Sequence, residues 1–146
     1  MGVVADAVLA AGGEAIGIIP HNLDRVELAH DRLTEIHVVN SMHERKQRMF
    51  ELADAFAVLP GGFGTLDEMI EIVTWRQLHL HQMPVILIDH RGYWKPFCEL
   101  IKHVVREGFA HSSVKNLYTI VSGVEDVIST IEAQPKAEVS VKSDFL

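Results

Sequence analysis

One cysteine, Cys98, is all that the 146 residues contain, so no internal disulfide can staple the chain, as suits a reducing compartment. Its setting, Phe97-Cys98-Glu99-Leu100-Ile101, reads as helix packing rather than as a nucleophile. Positive charge is also scarce. Thirteen Lys and Arg stand against twenty Asp and Glu, a formal net charge of -7, which argues against an extended basic face for nucleic acid or an anionic membrane. Any anionic ligand has to be met by locally placed groups. No apolar run is long enough to span a bilayer, and no basic region leads into a signal-peptide core. These absences put the chain in the cytoplasm. No internal repeat is present. Nine histidines raise the question of a metal, but His79 and His81 are spaced i, i+2 and do not face one another on a helix. No carboxylate or cysteine spacing completes a tetrahedral set, so they read as scattered surface residues with no metal site.

What is abundant is apolar sequence, 48% of the residues, enough for one core and one domain over residues 1–132, with a frayed tail over 133–146. Met1 to Ala11 favours helix and stops at Gly12-Gly13. Five short apolar or β-branched runs follow, near 14–19, 34–39, 54–59, 84–88 and 117–121, and they alternate with helical patterns. Alternation of that kind predicts an α/β fold with a parallel sheet flanked by helices. The polar span from His21 to Leu33 reads as a loop with a short helix. Tyr93 to Glu107 reads as a helix with Trp94, Phe97, Cys98, Ile101, Val104 and Val105 inward, and Val124 to Ile131 as a terminal helix.

Two stretches carry chemistry. Ser41 opens a helix, and Glu44 three residues on completes a capping box. At about 100° per residue, Met42, Met49, Leu52 and Ala53 share the inward face with Arg45 and Lys46, while His43, Glu44, Gln47, Arg48 and Glu51 point away. Two inward cations either meet an anionic ligand, or snorkel to water or to a structural carboxylate; both readings fit. The second stretch leaves a strand through Pro60-Gly61-Gly62-Phe63-Gly64 and starts a helix at Thr65. Glycines at a strand's carboxyl end let backbone N–H groups approach an anion at a helix start. The string fits neither the dinucleotide fingerprint nor a P-loop, and a tight turn without ligand is an equal alternative. Thr65 with Glu68 reads as a second capping box. The helix from Leu66 to Leu80 has two apolar sides: Leu66, Met69, Ile70, Val73 and Leu80 on one, Ile72, Trp75 and Leu78 with Glu68 and Glu71 on the other. The second side suits a subunit interface beside a site.

Ser41-Met42-His43-Glu44-Arg45-Lys46, followed in register by Pro60-Gly61-Gly62-Phe63-Gly64-Thr65-Leu66-Asp67-Glu68, resembles the Lonely Guy family of cytokinin riboside 5′-monophosphate phosphoribohydrolases. Thr74-Trp75-Arg76-Gln77-Leu78 and Gly92-Tyr93-Trp94 extend the resemblance over nearly all of residues 1–132. It implies a Rossmann-like, three-layer fold, homodimers or larger assemblies through the 66–80 helix, and hydrolysis of the N-glycosidic bond of adenine-type nucleoside 5′-monophosphates. No metal or redox cofactor is implied. Arg45 and Glu68 correspond to the catalytic pair. Lys46 and the run Gly61, Gly62, Phe63, Gly64, Thr65, Leu66 and Asp67 correspond to nucleotide contacts, as do Glu27 and Thr74. A binding or carrier protein that keeps the phosphate cradle without turnover is the competing reading. Nothing in the chain resembles a pyridoxal-binding lysine motif. Family members normally begin with a strand, a helix and a second strand ending in a glycine-rich loop, then Leu-Met-Gly and the helix that here opens at Met1-Gly2. The resemblance therefore implies an N-terminally truncated sequence, a fragment or a misassigned start. The absent part would supply central strands and one wall of the nucleotide site. Such a chain is expected to expose apolar sheet edges and to be poorly stable or inactive alone.

Overall fold

The structure, a computed structural model, describes residues 2–21 and 32–134. The chain divides into two compact units, Met1–Ala53 and Asp54–Leu146. The fold is α/β of the Rossmann-like class, with parallel strands flanked by helices, and the strands form two sheets, one in each unit.

The first unit holds α1 (Gly2–Ala10), β1 (Ile16–Pro20), β2 (Glu35–Val39) and α2 (Met42–Glu51). β1 and β2 pair in parallel from Ile16 opposite Glu35 to Pro20 opposite Val39. Thr34 ties the sheet's entry to the residue before β1, since its backbone N–H donates to the Ala15 carbonyl at 2.9 Å and its hydroxyl accepts from the Ala15 N–H at 3.0 Å. Val39 and Pro20 are buried at the carboxyl end of the pair. Ile36 and Val38, two residues apart and hence on one face, are each more than a third exposed. Most of the polar span at His21–Leu33 lies outside the described residues, Glu27 with it.

The second unit runs β3 (Phe56–Val58), α3 (Phe63–Gln77), β4 (Val85–Ile88), α4 (Lys95–Arg106), β5 (Thr119–Val121) and α5 (Val127–Glu132). Its three strands pair in parallel in the order β3-β4-β5. β4 is apolar throughout, and Val85, Ile86 and Leu87 have no exposed surface. Alternate residues feed two cores. Ile86 and Ile88 pack with Val121, Val127 and Ile131, which seats α5. Leu87 packs with Met69 and Trp94, joined by Val58, Leu66, Val73, Phe97 and Tyr118, which seats α3 and the start of α4. Each fully buried aliphatic side chain is worth about 1.5–3 kcal/mol over an exposed one, so β4 concentrates the stability of this unit.

Four local expectations need correction. α3 starts at Phe63, not at Thr65; Gly62 is its N-cap and no side chain caps it, so Thr65 and Glu68 form no capping box. α3 also stops at Gln77 rather than Leu80, because His79 takes a left-handed φ of 60°. The His79 and Leu80 N–H groups then close onto the Arg76 and Trp75 carbonyls in a Schellman arrangement, with histidine where glycine is usual. Ile70 and Leu80, expected on the inward stripe, are both more than a third exposed. Trp94 precedes α4 as its N-cap rather than lying within it.

His81, expected at the surface, is buried. Its Nε2–H donates to the Ile72 carbonyl at 2.9 Å, its Nδ1 accepts from the Met83 N–H at 3.1 Å, and its ring meets Phe56 edge-on. Those two bonds together require the neutral ring. Burial pushes its pKa below the ordinary histidine value; the Ile72 bond opposes the shift and the Arg76 charge adds to it. The folded state therefore binds fewer protons than the unfolded one as pH drops below about 6.5, and stability held above that pH is lost as pH falls, by up to about 1.4 kcal/mol per unit of pKa difference. Thermal melts between pH 7.5 and 5.5 are expected to give a steeper loss of Tm for the wild type than for His81→Gln, which keeps a donor and an acceptor without the titration.

Candidate functional site

The first half of the predicted chemistry lies on α2. Ser41 caps the helix, its hydroxyl accepting from the Glu44 N–H at 3.1 Å. The Glu44 carboxylate reaches back to the Asn40 N–H at 2.8 Å and to its side-chain amide at 3.2 Å, one residue before the usual partner in a capping box. Arg45 and Lys46 are half-buried, and so are Gln47 and Arg48, which the helical wheel puts outward. The Arg45 Nε–H donates to the Ile18 carbonyl at 3.1 Å, so the guanidinium is tied to the sheet at the middle of β1. Met42 and Leu52, expected inward, are each about two-fifths exposed. Of the side expected outward, His43, Glu44 and Glu51 are exposed and Gln47 and Arg48 half-buried; Glu44, Gln47, Arg48 and Glu51 line a cleft of about 520 Å³ with His37, Val38 and Val39 of β2. Within it Gln47 and Arg48 both donate to Glu51 at 3.1 Å, and His37 pairs with Glu35 at 2.9 Å. Gln47, Arg48 and Glu51 thus satisfy one another on the α2 wall of the cleft.

The second half leaves β3. Leu59 and Pro60 carry the chain into Gly61, where a side chain has no room: an added Cβ would stand 2.1 Å from the Thr65 hydroxyl and 2.8 Å from the Thr65 Cβ. Thr65 thus folds back over Gly61 and closes the turn early, which is why α3 begins two residues before the sequence reading put it. At Gly62 and Gly64 an added Cβ would meet nothing. The first N–H groups of α3 carry partial positive charge and point out of the helix. Since no side chain caps them, this is the arrangement in which a strand's carboxyl end presents an anion site.

Along α3 the proposed ligands diverge. Leu66 points into the core, so it can offer a ligand only its backbone. Phe63, on the first turn, is 93% exposed. Asp67 is exposed and Glu68 half-buried; Glu68 lies in the second turn, beyond reach of the helix start it was expected to cap. Thr74 is exposed, and its hydroxyl donates to the Ile70 carbonyl at 2.7 Å, which leaves its lone pairs as acceptors. It lies about 120° round the helix from Glu68, so the two do not share a stripe.

Two residues, one at this turn and one at the far end of α3, drew no functional reading from the sequence. The Tyr93 hydroxyl donates to the Gly61 carbonyl. Arg76, half-buried on α3, donates to the Leu117 carbonyl at 3.2 Å and has its pKa lowered by burial. Neither contact has a local sequence signal, since 32 and 41 residues separate the partners. Among the described residues no three His, Cys, Asp or Glu side chains gather as metal ligands, and no helix is long and apolar enough to cross a membrane.

Parallel strands, a glycine turn at a strand's carboxyl end and an uncapped helix start define an α/β protein of the Rossmann-like class. The family within that class follows from similarity. Residues 1–131 match the family described as "Possible lysine decarboxylase". A cytokinin riboside 5′-monophosphate phosphoribohydrolase from Rhodococcoides fascians is 40% identical over 134 residues, 91% of this chain and 68% of that protein. Enzymes of the same name from Oryza sativa subsp. japonica and Arabidopsis thaliana are 37% and 35% identical, over 99% and 90% of this chain and 60% and 62% of theirs. The chain belongs to this family, which includes the phosphoribohydrolases, and it spans 60% to 68% of the length of these curated relatives.

The Gly61–Thr65 contact sets a clear expectation. Gly61→Ala forces backbone or Thr65 to shift and is expected to cost about 1–3 kcal/mol, while Gly62→Ala, with open space around it, should cost under about 1 kcal/mol as a cap change. Chemical denaturation of the two variants side by side measures the difference.

Proposed function

We propose that this protein hydrolyses the N-glycosidic bond of an adenine-type nucleoside 5′-monophosphate, AMP or a cytokinin riboside monophosphate, to free base and ribose 5-phosphate. The observation that carries the reading is the pair of motifs at 41–46 and 60–68 in a chain related to enzymes named for that reaction. The uncapped start of α3 behind Gly61 and Gly62 supports a phosphate seat, because backbone N–H groups and the helix dipole favour an anion there.

In this reading Arg45 and Glu68 are the catalytic pair. Water adds to C1′ of the ribose, the bond to the base nitrogen breaks with its electron pair leaving on the base, and a proton completes the free base. The ribosyl centre is oxocarbenium-like in passage, so the Glu68 carboxylate can stabilise it, hold the ribose hydroxyls or activate the water. Arg45 neutralises charge on the phosphate or the departing base. Lys46, the run from Gly61 to Asp67, Thr74 and Glu27 are assigned to binding the nucleotide. We also propose a cytoplasmic homodimer or larger assembly through α3. Phe63, Ile70 and Leu78, within about 80° of one another around the helix, are 93%, 43% and 61% exposed, and they surround the polar Asp67 and Thr74.

Incubation with AMP and with isopentenyladenine riboside monophosphate, followed by chromatography of the free base, tests the activity. Base release is expected, with Glu68→Gln lowering kcat by about 10²-fold or more. No release from either substrate, with wild type and Glu68→Gln alike, would sink the reading, and tight calorimetric binding of AMP without release would move the protein to the binding class. For assembly, light scattering at tens of micromolar is expected to give a dimer or larger species that Leu78→Asp shifts toward monomer; a monomeric wild type would end that proposal.

A further inference from the structure

We propose that Tyr93 is a positioning residue for the phosphate-binding turn: by donating its phenol O–H to the Gly61 carbonyl, it fixes the peptide plane between Gly61 and Gly62. This inference rests on the phosphoribohydrolase reading above. The reason a lock is needed lies in the sequence of the turn. A peptide bond is planar and trans, so its N–H points opposite to its C=O. Between two glycines the plane can rotate with little steric resistance, and the space where a Gly62 Cβ would stand is empty. Nothing local therefore selects which side of the turn receives the Gly62 N–H. Holding the Gly61 carbonyl on the Tyr93 hydroxyl turns the Gly62 N–H to the opposite side and keeps it there. A donor aimed before the ligand arrives costs no reorganisation on binding.

Tyr93 is itself well anchored for this task. It leaves the exit loop of β4, where Arg91 and Gly92 take successive left-handed φ values of 56° and 78° and reverse the chain. Gly92 packs against the Lys95 side chain, with an added Cβ only 3.0 Å from its Cε. The loop is fastened at both ends. The Asp89 N–H donates to the Val121 carbonyl at 2.8 Å, and the Asp89 carboxylate accepts from the Trp94 N–H at 2.7 Å. Trp94 is buried, and the Tyr93 ring stands edge-on to it with centroids 5.1 Å apart. The indole Nε1–H of Trp94 has no acceptor among the described residues, so its backbone and its ring contacts hold it. The most buried part of the second unit is thus linked through one side chain to the softest part of the turn.

Tyr93→Phe removes only the hydroxyl. With the proposal correct, KM for AMP rises about five- to tenfold, the loss of one net neutral hydrogen bond. kcat should stay within about twofold, Tm within about 3 °C, and the Gly62 amide resonance should move in ¹⁵N-labelled protein. A role confined to stability would lower Tm and leave KM and that resonance where they were. Unchanged KM together with an unmoved Gly62 amide overturns the proposal, as does loss of folding in Tyr93→Phe, which would make the hydroxyl a support of the whole unit. Should the wild type release no base from any nucleotide, the activity reading falls by itself. The Gly62 resonance in Tyr93→Phe then decides the lock: a shift sustains it, and no shift removes it.

Discussion

Both faces of β4 are buried, and the second unit is arranged to make that possible. A four-residue strand of Val, Ile, Leu and Ile can be kept from water only if strands flank it on both edges and helices cover it on both sides. β3 and β5 supply the edges, α3 with the Trp94–Phe97 segment covers one face, and α5 covers the other. Parallel pairing then brings the carboxyl ends of β3 and β4 side by side. The glycine turn and the Asp89–Tyr93 loop leave from those ends, so the Tyr93–Gly61 bond follows from the strand order rather than from any nearness in sequence.

The first unit solves a different problem with fewer means. Its two strands bury Val39 and Pro20 but leave Ile36 and Val38 largely exposed, and its helix brings two cations inward. Arg45 meets the cost of partial burial through the Ile18 carbonyl.

Much of the fold is legible in the sequence because the strands announce themselves. Four of the five apolar runs contain the strand that forms, the first falls one residue short at Pro20, and every boundary agrees within two residues. Helix faces are less legible. The wheel puts Met42 and Leu52 inward, yet both are about two-fifths exposed while Gln47 and Arg48, expected outward, are half-buried, since long polar side chains can both bond Glu51 while covering apolar surface. The start of α3 was misread because Thr65 and Glu68 satisfy a capping pattern that a glycine turn pre-empts. His81 and Tyr93 were missed for a common reason: what each does is set by carbonyls on other elements, Ile72 and Gly61, and no periodicity encodes those. The motif residues, by contrast, could be named at once, because each cluster is contiguous in sequence.

Gly61 and Thr65 form one constraint spread over two positions. The threonine side chain occupies the volume that any residue but glycine would need at 61, so position 61 cannot drift while threonine stays at 65. A library that randomises the loop one position at a time would find Gly61 apparently immutable. Varied together, they define the loop's real sequence space, and a smaller residue at 65 is the step that opens it.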